Sequence, residues 1–98
     1  MNQRDWRGEI WAEATFNIGR CFLDQEQLGK AQGFFERTYL AYSGYPMWAG
    51  KAVMESAALL EASGDVESAR RTYKFFVDSP RGSESPLYEV ARQRMKTL

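Results

Sequence analysis

The feature that most constrains this sequence is a helical pattern that occurs twice and begins a third time. Alanines mark matched places in the three copies, at Ala14, Ala52 and Ala91, so that successive copies are 38 and 39 residues apart. A repeat of roughly 20 to 50 residues is typical of helical hairpins stacked in a row, since one hairpin cannot bury its apolar face alone. The sequence therefore predicts an all-α protein built from paired helices.

The spacing of apolar residues predicts about five helices, and short loops make successive helices antiparallel. The first is expected to begin at Trp6 or Glu9, with Asp5 as its cap. The predicted helices span about 6–23, 27–42, 46–62, 66–77 and 86–97. The buried stripe of the first helix is expected to consist of Ile10, Ala14, Ile18 and Phe22, each four residues apart.

The turn residues and the second helices agree with this repeat. Gly64 suits the left-handed residue that ends a helix, and Asp65 suits the N-cap of the next helix. A shift of 38 residues superposes residues of similar size in the second helices: Leu28 on Val66, Ala31 on Ala69, Phe35 on Tyr73, and Tyr39 on Val77. We therefore expect the two helices of each hairpin to cross closely at small residues, namely Gly19 with Ala31 and Ala57 with Ala69.

Composition excludes several function classes. The chain has 13 basic and 13 acidic residues, and a general nucleic-acid binder needs a basic surplus. It has no histidine and a single cysteine, so the common catalytic triads and CxxC metal sites are absent. Cys21 is expected to be a small buried hydrophobic residue rather than a reactive thiol. We predict no enzyme activity, cofactor or metal, and the Glu9/Glu13 and Asp24/Glu26 pairs lack surroundings that would separate their pKa values.

The hairpins resemble the tetratricopeptide repeat (TPR) family. The strongest likeness lies in Ala57-Ala-Leu-Leu60, in the turn and helix start Ala62-Ser-Gly-Asp-Val-Glu-Ser-Ala69, and in Tyr73. The preceding copy follows the same scheme at Ile18-Gly19, Phe22, Leu28, Ala31 and Phe35. The resemblance implies a TPR-like α-α superhelix over 1–98 as one domain, with repeats at about 9–43 and 46–79 and a capping helix at about 86–98.

The sequence departs from the family in period and in turn chemistry. TPR units are roughly 34 residues long, and the excess here falls in 43–46 and 79–85. The first turn, at 24–27, lacks the glycine that the second turn has. The long repeats and their Tyr-Pro and Ser-Pro junctions are similar to those of bacterial TPR proteins, including cell-envelope assembly factors. We therefore expect a fragment of a longer, bacterial TPR protein.

The resemblance also implies a binding groove lined by the first helix of each pair. Matching positions by their place in the repeat gives Glu13, Phe16, Arg20, Leu23 and Asp24 from one copy, and Lys51, Met54, Ala58, Glu61 and Ala62 from the next. An apolar strip flanked by both charges suits an amphipathic helix or an extended peptide. We expect a protein or peptide partner, and expect Phe16→Glu or Met54→Glu to weaken its capture without unfolding the chain.

A structural role is the alternative from a different class. Trp6, Ile10 and Trp11 look unshielded, which favours either further repeats upstream or a homo-oligomer formed through this end. The fifth helix, with Arg92, Gln93, Arg94 and Lys96, is expected to close the stack with a polar side. No apolar run approaches the roughly 20 residues of a membrane span, and the start is unlike a signal peptide. The compartment stays open, the bacterial periplasm included.

Overall fold

The structure, a computed structural model, describes residues 3–98, with side chains from Gly8 onward. This range is all-α, as predicted, and has no strand. Its elements are α1 (Gln3–Asp24), α2 (Leu28–Ala41), α3 (Pro46–Ala62), α4 (Val66–Asp78), a short 3-10 helix (Gly82–Glu84) and α5 (Tyr88–Thr97). The ends of α3 are those predicted. The first helix begins earlier than expected, so Asp5 lies within it, and the side chain of Trp6 is outside the described part.

Two helix-ending turns of the same kind close α1 and α3. After α3, Gly64 has a φ of 89°, and the amides of Gly64 and Asp65 donate to the carbonyls of Glu61 and Leu60 at 3.0 and 2.9 Å. After α1, Glu26 takes the left-handed place with a φ of 61°, and its turn makes the matching pair of bonds. Both turns are therefore Schellman motifs at matched places in the repeat, although only the second has the preferred glycine.

The core lies between helices that are neighbours in sequence. Ala31, Ala57 and Ala69 are completely buried, as predicted for the close crossings. A Cβ atom on Gly19 would lie 2.7 Å from a ring carbon of Phe35, so this crossing depends on glycine. The remaining fully or almost fully buried apolar residues are Phe35, Tyr39, Ala49, Ala52, Val53, Tyr73, Phe76 and Ala91, with Ala12 and Phe16 from α1.

The predicted orientation of α1 is wrong. Ile10 and Ile18 are 51% and 42% exposed, whereas Ala12, Thr15 and Phe16 are buried. Two helical stripes of apolar or small residues run along α1, and the stripe containing Ala12 and Gly19 permits the closer approach of α2 and α3. Cys21 is exposed as well, so the expectation of a buried thiol is also wrong.

A hydrogen bond links the two junctions between hairpins. Arg81, which follows α4, donates to the carbonyl of Gly44, between α2 and α3, at 2.8 Å. The same guanidinium pairs with Glu84 at 2.9 Å, and this bond holds the pKa of the Glu84 carboxyl below its usual value. The longer junctions that distinguish this repeat therefore contact each other directly.

Candidate functional site

The candidate site is the outward side of α1, α3 and α5, which we name the first-helix face. On α3 this face follows from spacing, because Met47, Lys51, Met54 and Ala58 lie about one or two turns apart and none is buried. Glu13, Arg20, Asp24, Ala58 and Ala62 are exposed, whereas Leu23, Lys51, Met54 and Glu61 are half-buried. The structure thus places all but one of the predicted groove residues at least partly on the surface.

Phe16 is the exception, and its assignment to a binding surface is wrong. Its side chain is only 7% exposed. Its ring centroid lies 5.5 Å from that of Phe35 on α2 and 5.8 Å from that of Trp48 on α3. Phe16 therefore fills the space where three helices meet, because its position on α1 points between α2 and α3.

Two ion pairs connect the successive first helices. Arg20 on α1 donates to Glu55 on α3, and Arg94 on α5 donates to Glu61 on α3, both at 2.8 Å. Each pair is partly exposed and contributes at most about 1 kcal/mol. Their main effect is on recognition, because the charges of Arg20 and Glu61 are already neutralised within the chain.

Glu61 is the most connected residue of this face. Its second carboxylate oxygen accepts a hydrogen bond of 2.7 Å from the hydroxyl of Tyr73 on α4. Glu61 thus joins α3, α4 and α5 through Tyr73 and Arg94. The part played by Arg94 was missed in the sequence, although it stands 39 residues after Glu55, the corresponding ion-pair position on α3.

A lysine and a tryptophan form a cation–π contact beside these pairs. The Lys51 ammonium lies 4.4 Å from the centroid of the Trp48 ring. The Trp48 indole nitrogen is buried and has no hydrogen-bond partner among the described atoms. What the face still offers a partner is mainly apolar: Met47, which is 42% exposed, with Met54 and Ala58, and Val90 of α5, which is 45% exposed.

The hydrogen bond between Tyr73 and Glu61 gives stability a predictable alkaline dependence. Burial of the ring and this bond raise the pKa of Tyr73 from 10.0 to about 12. Because the folded state holds the phenol proton more tightly, the stabilisation is complete below pH 10 and is lost as the pH rises towards 12. We expect the free energy of unfolding of the native protein to fall more steeply over this interval than that of Tyr73→Phe, which cannot ionise. Urea denaturation at a series of pH values measures both slopes, and equal slopes would contradict the shift.

The second helices carry a separate surface depression. It has a volume of about 610 Å³, is wide open to solvent, and is lined by Ser43, Phe75, Pro80 and the charged residues Arg71, Lys74 and Asp78. Lys74 pairs with Asp78 at 2.6 Å, and Arg71 donates to Ser68 at 2.9 Å. Its charged groups are therefore engaged by neighbours rather than directed at a common point. Among the described residues no cluster of acidic or cysteine side chains has the geometry to hold a metal ion.

Comparisons with known proteins identify no relative. Neither protein-family models, nor curated proteins, nor solved structures match this chain. Over the described residues, no helix has the length and apolar character needed to cross a membrane.

Proposed function

We propose that this chain is a TPR-like, non-catalytic interaction module that binds a peptide or a helix on its first-helix face. The observation that carries the proposal is the apolar strip of Met47, Met54 and Ala58 along α3. It lies between an ion pair to α1 and an ion pair to α5. The repetition of hairpin turns at a 38-residue step supports the family resemblance.

The charges around the strip define the partner's chemistry. Arg20, Glu55, Glu61 and Arg94 are paired within the chain, and Lys51 lies over an aromatic ring. A ligand recognised mainly by its charge would have to break these contacts. We therefore propose an amphipathic partner segment that places apolar side chains against Met47 and Met54, since methionine surfaces adapt to varied apolar shapes.

A selection from a displayed peptide library tests this proposal. Peptides are selected on the native protein and their affinities are then measured against Ala58→Glu and Met47→Glu. We expect these variants to weaken binding by about tenfold or more, which corresponds to about 1.4 kcal/mol. Leu40→Glu is the matched control, because Leu40 is 59% exposed on α2, away from this face. Equal binding by all four proteins, or loss only with Leu40→Glu, would contradict the assignment of the face.

A structural segment is the second candidate, and exposed residues of α1 favour it. Ile10 and Trp11 are 51% and 62% exposed, as large apolar side chains would be at an unfilled helix interface. This role needs no peptide ligand. Static light scattering of the purified chain separates the two candidates, since a monomer that captures peptides on the first-helix face would exclude a purely structural role.

A further inference from the structure

The side of α1 that faces away from α2 and α3 is continuously apolar and uncharged. We name it the outer α1 face and define it by Ile10, Trp11, Ala14, Ile18 and Cys21, which recur at helical spacing. Ile10, Trp11 and Ile18 are 51%, 62% and 42% exposed, Cys21 is exposed, and Ala14 is half-buried. Water contact with this much clustered apolar surface is unfavourable, and such patches mark association sites.

The repeat itself shows what kind of element belongs on this face. On α3, the positions 38 residues after Trp11, Ala14 and Ile18 are Ala49, Ala52 and Ser56. They are 2%, 0% and 0% exposed, because α2 packs there, and Gln32 of α2 bonds Ser56 at 2.6 Å. The same side of a first helix is therefore a helix-packing side in the second copy. On α1, no described part of the chain covers it.

The other surfaces of the chain do not supply a matching face. Helices α2 and α4 each lie between two first helices, so their apolar sides are already used. The far side of α5 carries Glu89, Arg92, Gln93 and Lys96, and stacking α1 of one copy on it would bury charges against apolar side chains. Among these surfaces, the outer α1 face is best matched by itself, since it carries no charge to repel its own image.

We propose that two copies of this chain associate through their outer α1 faces, with the two α1 helices antiparallel about a twofold axis near Ala14. The small side chain of Ala14 lets the helices approach closely at the axis. Trp11 and Ile18 stand on either side of it, so Trp11 of one copy packs against Ile18 of the second copy, and the contact is repeated by symmetry. This association uses a different side of α1 from the first-helix face and does not depend on peptide binding.

The antiparallel arrangement also fixes where the cysteines lie. With a rise of about 1.5 Å per residue, Cys21 of one copy is about 20 Å from Cys21 of the other. A disulfide needs Cα atoms within about 7 Å, so the native thiols cannot bridge the two copies. A cysteine at position 14, beside the axis, can.

Sedimentation equilibrium over a range of protein concentrations tests the association. We expect a monomer–dimer equilibrium in which Ile18→Glu raises the dissociation constant at least about tenfold while helicity stays unchanged. Leu40→Glu, an equally exposed apolar residue elsewhere, is expected to leave the dissociation constant unchanged. A protein that is monomeric at every concentration, or a dimer insensitive to Ile18→Glu, overturns the proposal. Binding of a foreign amphipathic helix to this face by a strictly monomeric protein would also overturn it.

Oxidative cross-linking tests the direction of the helices. In the double variant Ala14→Cys, Cys21→Ser we expect a disulfide-linked dimer under mild oxidation, and none in the native protein. Cross-linking of native Cys21 faster than of the engineered cysteine would overturn the antiparallel arrangement. Failure of either test leaves the peptide selection interpretable, because Met47 and Ala58 are not on the outer α1 face.

Discussion

Phe16→Glu is expected to unfold most of the protein, and Phe16→Ala to lower the free energy of unfolding by about 3–5 kcal/mol. The Phe16 ring is 7% exposed and lies against Phe35 and Trp48, so truncation leaves a cavity where α1, α2 and α3 meet. Glutamate at the same place adds the free energy of burying a carboxylate without a partner. A small domain has only about 5–15 kcal/mol of stability, so the second loss exceeds what most such domains tolerate.

Far-ultraviolet circular dichroism of Phe16→Glu and urea denaturation of Phe16→Ala measure these effects. Leu28→Glu is the matched control, since Leu28 is 52% exposed at the start of α2 and should change stability by no more than about 0.5 kcal/mol. If Phe16→Glu stayed folded with native stability, the ring would have to be on the surface, and the first-helix face would regain it as a contact residue.

The pattern of small residues was enough to predict where the helices cross. Gly19, Ala31, Ala57 and Ala69 are buried as the 38-residue step required, because only small side chains allow helices of a hairpin to approach closely. The turn at Gly64 and the N-cap at Asp65, which accepts the amide of Ser68 at 3.1 Å, were equally legible. These features are local, so the identity of one or two residues determines them.

The rotation of α1 was not predictable by the same means. Its sequence contains two stripes compatible with burial, one with Ile10 and Ile18 and one with Ala12 and Phe16. Hydropathy favours the first, but steric fit to Phe35 at Gly19 selects the second. That choice depends on the shape of α2 and α3, which no pattern within α1 encodes. The error carried over to Phe16 in the candidate site.

The ion pairs of the first-helix face were missed for a related reason. Arg20 and Glu55 are 35 residues apart, and Glu61 and Arg94 are 33 apart, so neither pair follows a helical spacing. Their meeting depends on the offset between neighbouring first helices, which the repeat length alone does not give. As a result, the sequence correctly indicated the mixed charge of this face but not that much of the charge is neutralised internally.

Gly82→Ala is the second substitution for which we expect a large effect. Gly82 is buried in the 3-10 helix between α4 and α5, and an added Cβ would lie 2.2 Å from the carbonyl oxygen of Phe76 and 2.9 Å from the Ser79 hydroxyl. The carbonyl belongs to the last turn of α4, so relief requires movement of the backbone rather than a side-chain rotation. We expect a loss of about 1–3 kcal/mol or more in the free energy of unfolding, as for other overpacked sites.

The structural consequence should be concentrated at the C-terminal end. The 3-10 helix places Ser85, which is 6% exposed, against α3, where a Cβ on Gly50 would lie 2.7 Å from the Ser85 hydroxyl. Displacing Gly82 therefore loosens the docking of α5, and hydrogen exchange should increase in α5 before it increases in α1 and α2. A uniform increase over all five helices would show that the clash is relieved elsewhere.

Gly33→Ala is the control that separates steric clash from a general effect of alanine. Gly33 is exposed in the middle of α2, and an added Cβ there meets nothing within 4 Å. Because alanine favours helix over glycine by about 0.5–1 kcal/mol, this variant should be more stable than the native protein. Urea denaturation should therefore move the midpoints of the two variants in opposite directions. A Gly82→Ala midpoint equal to or above the native one would mean that the last turn of α4 yields without penalty, and that the close contact at Phe76 does not hold α5 in place.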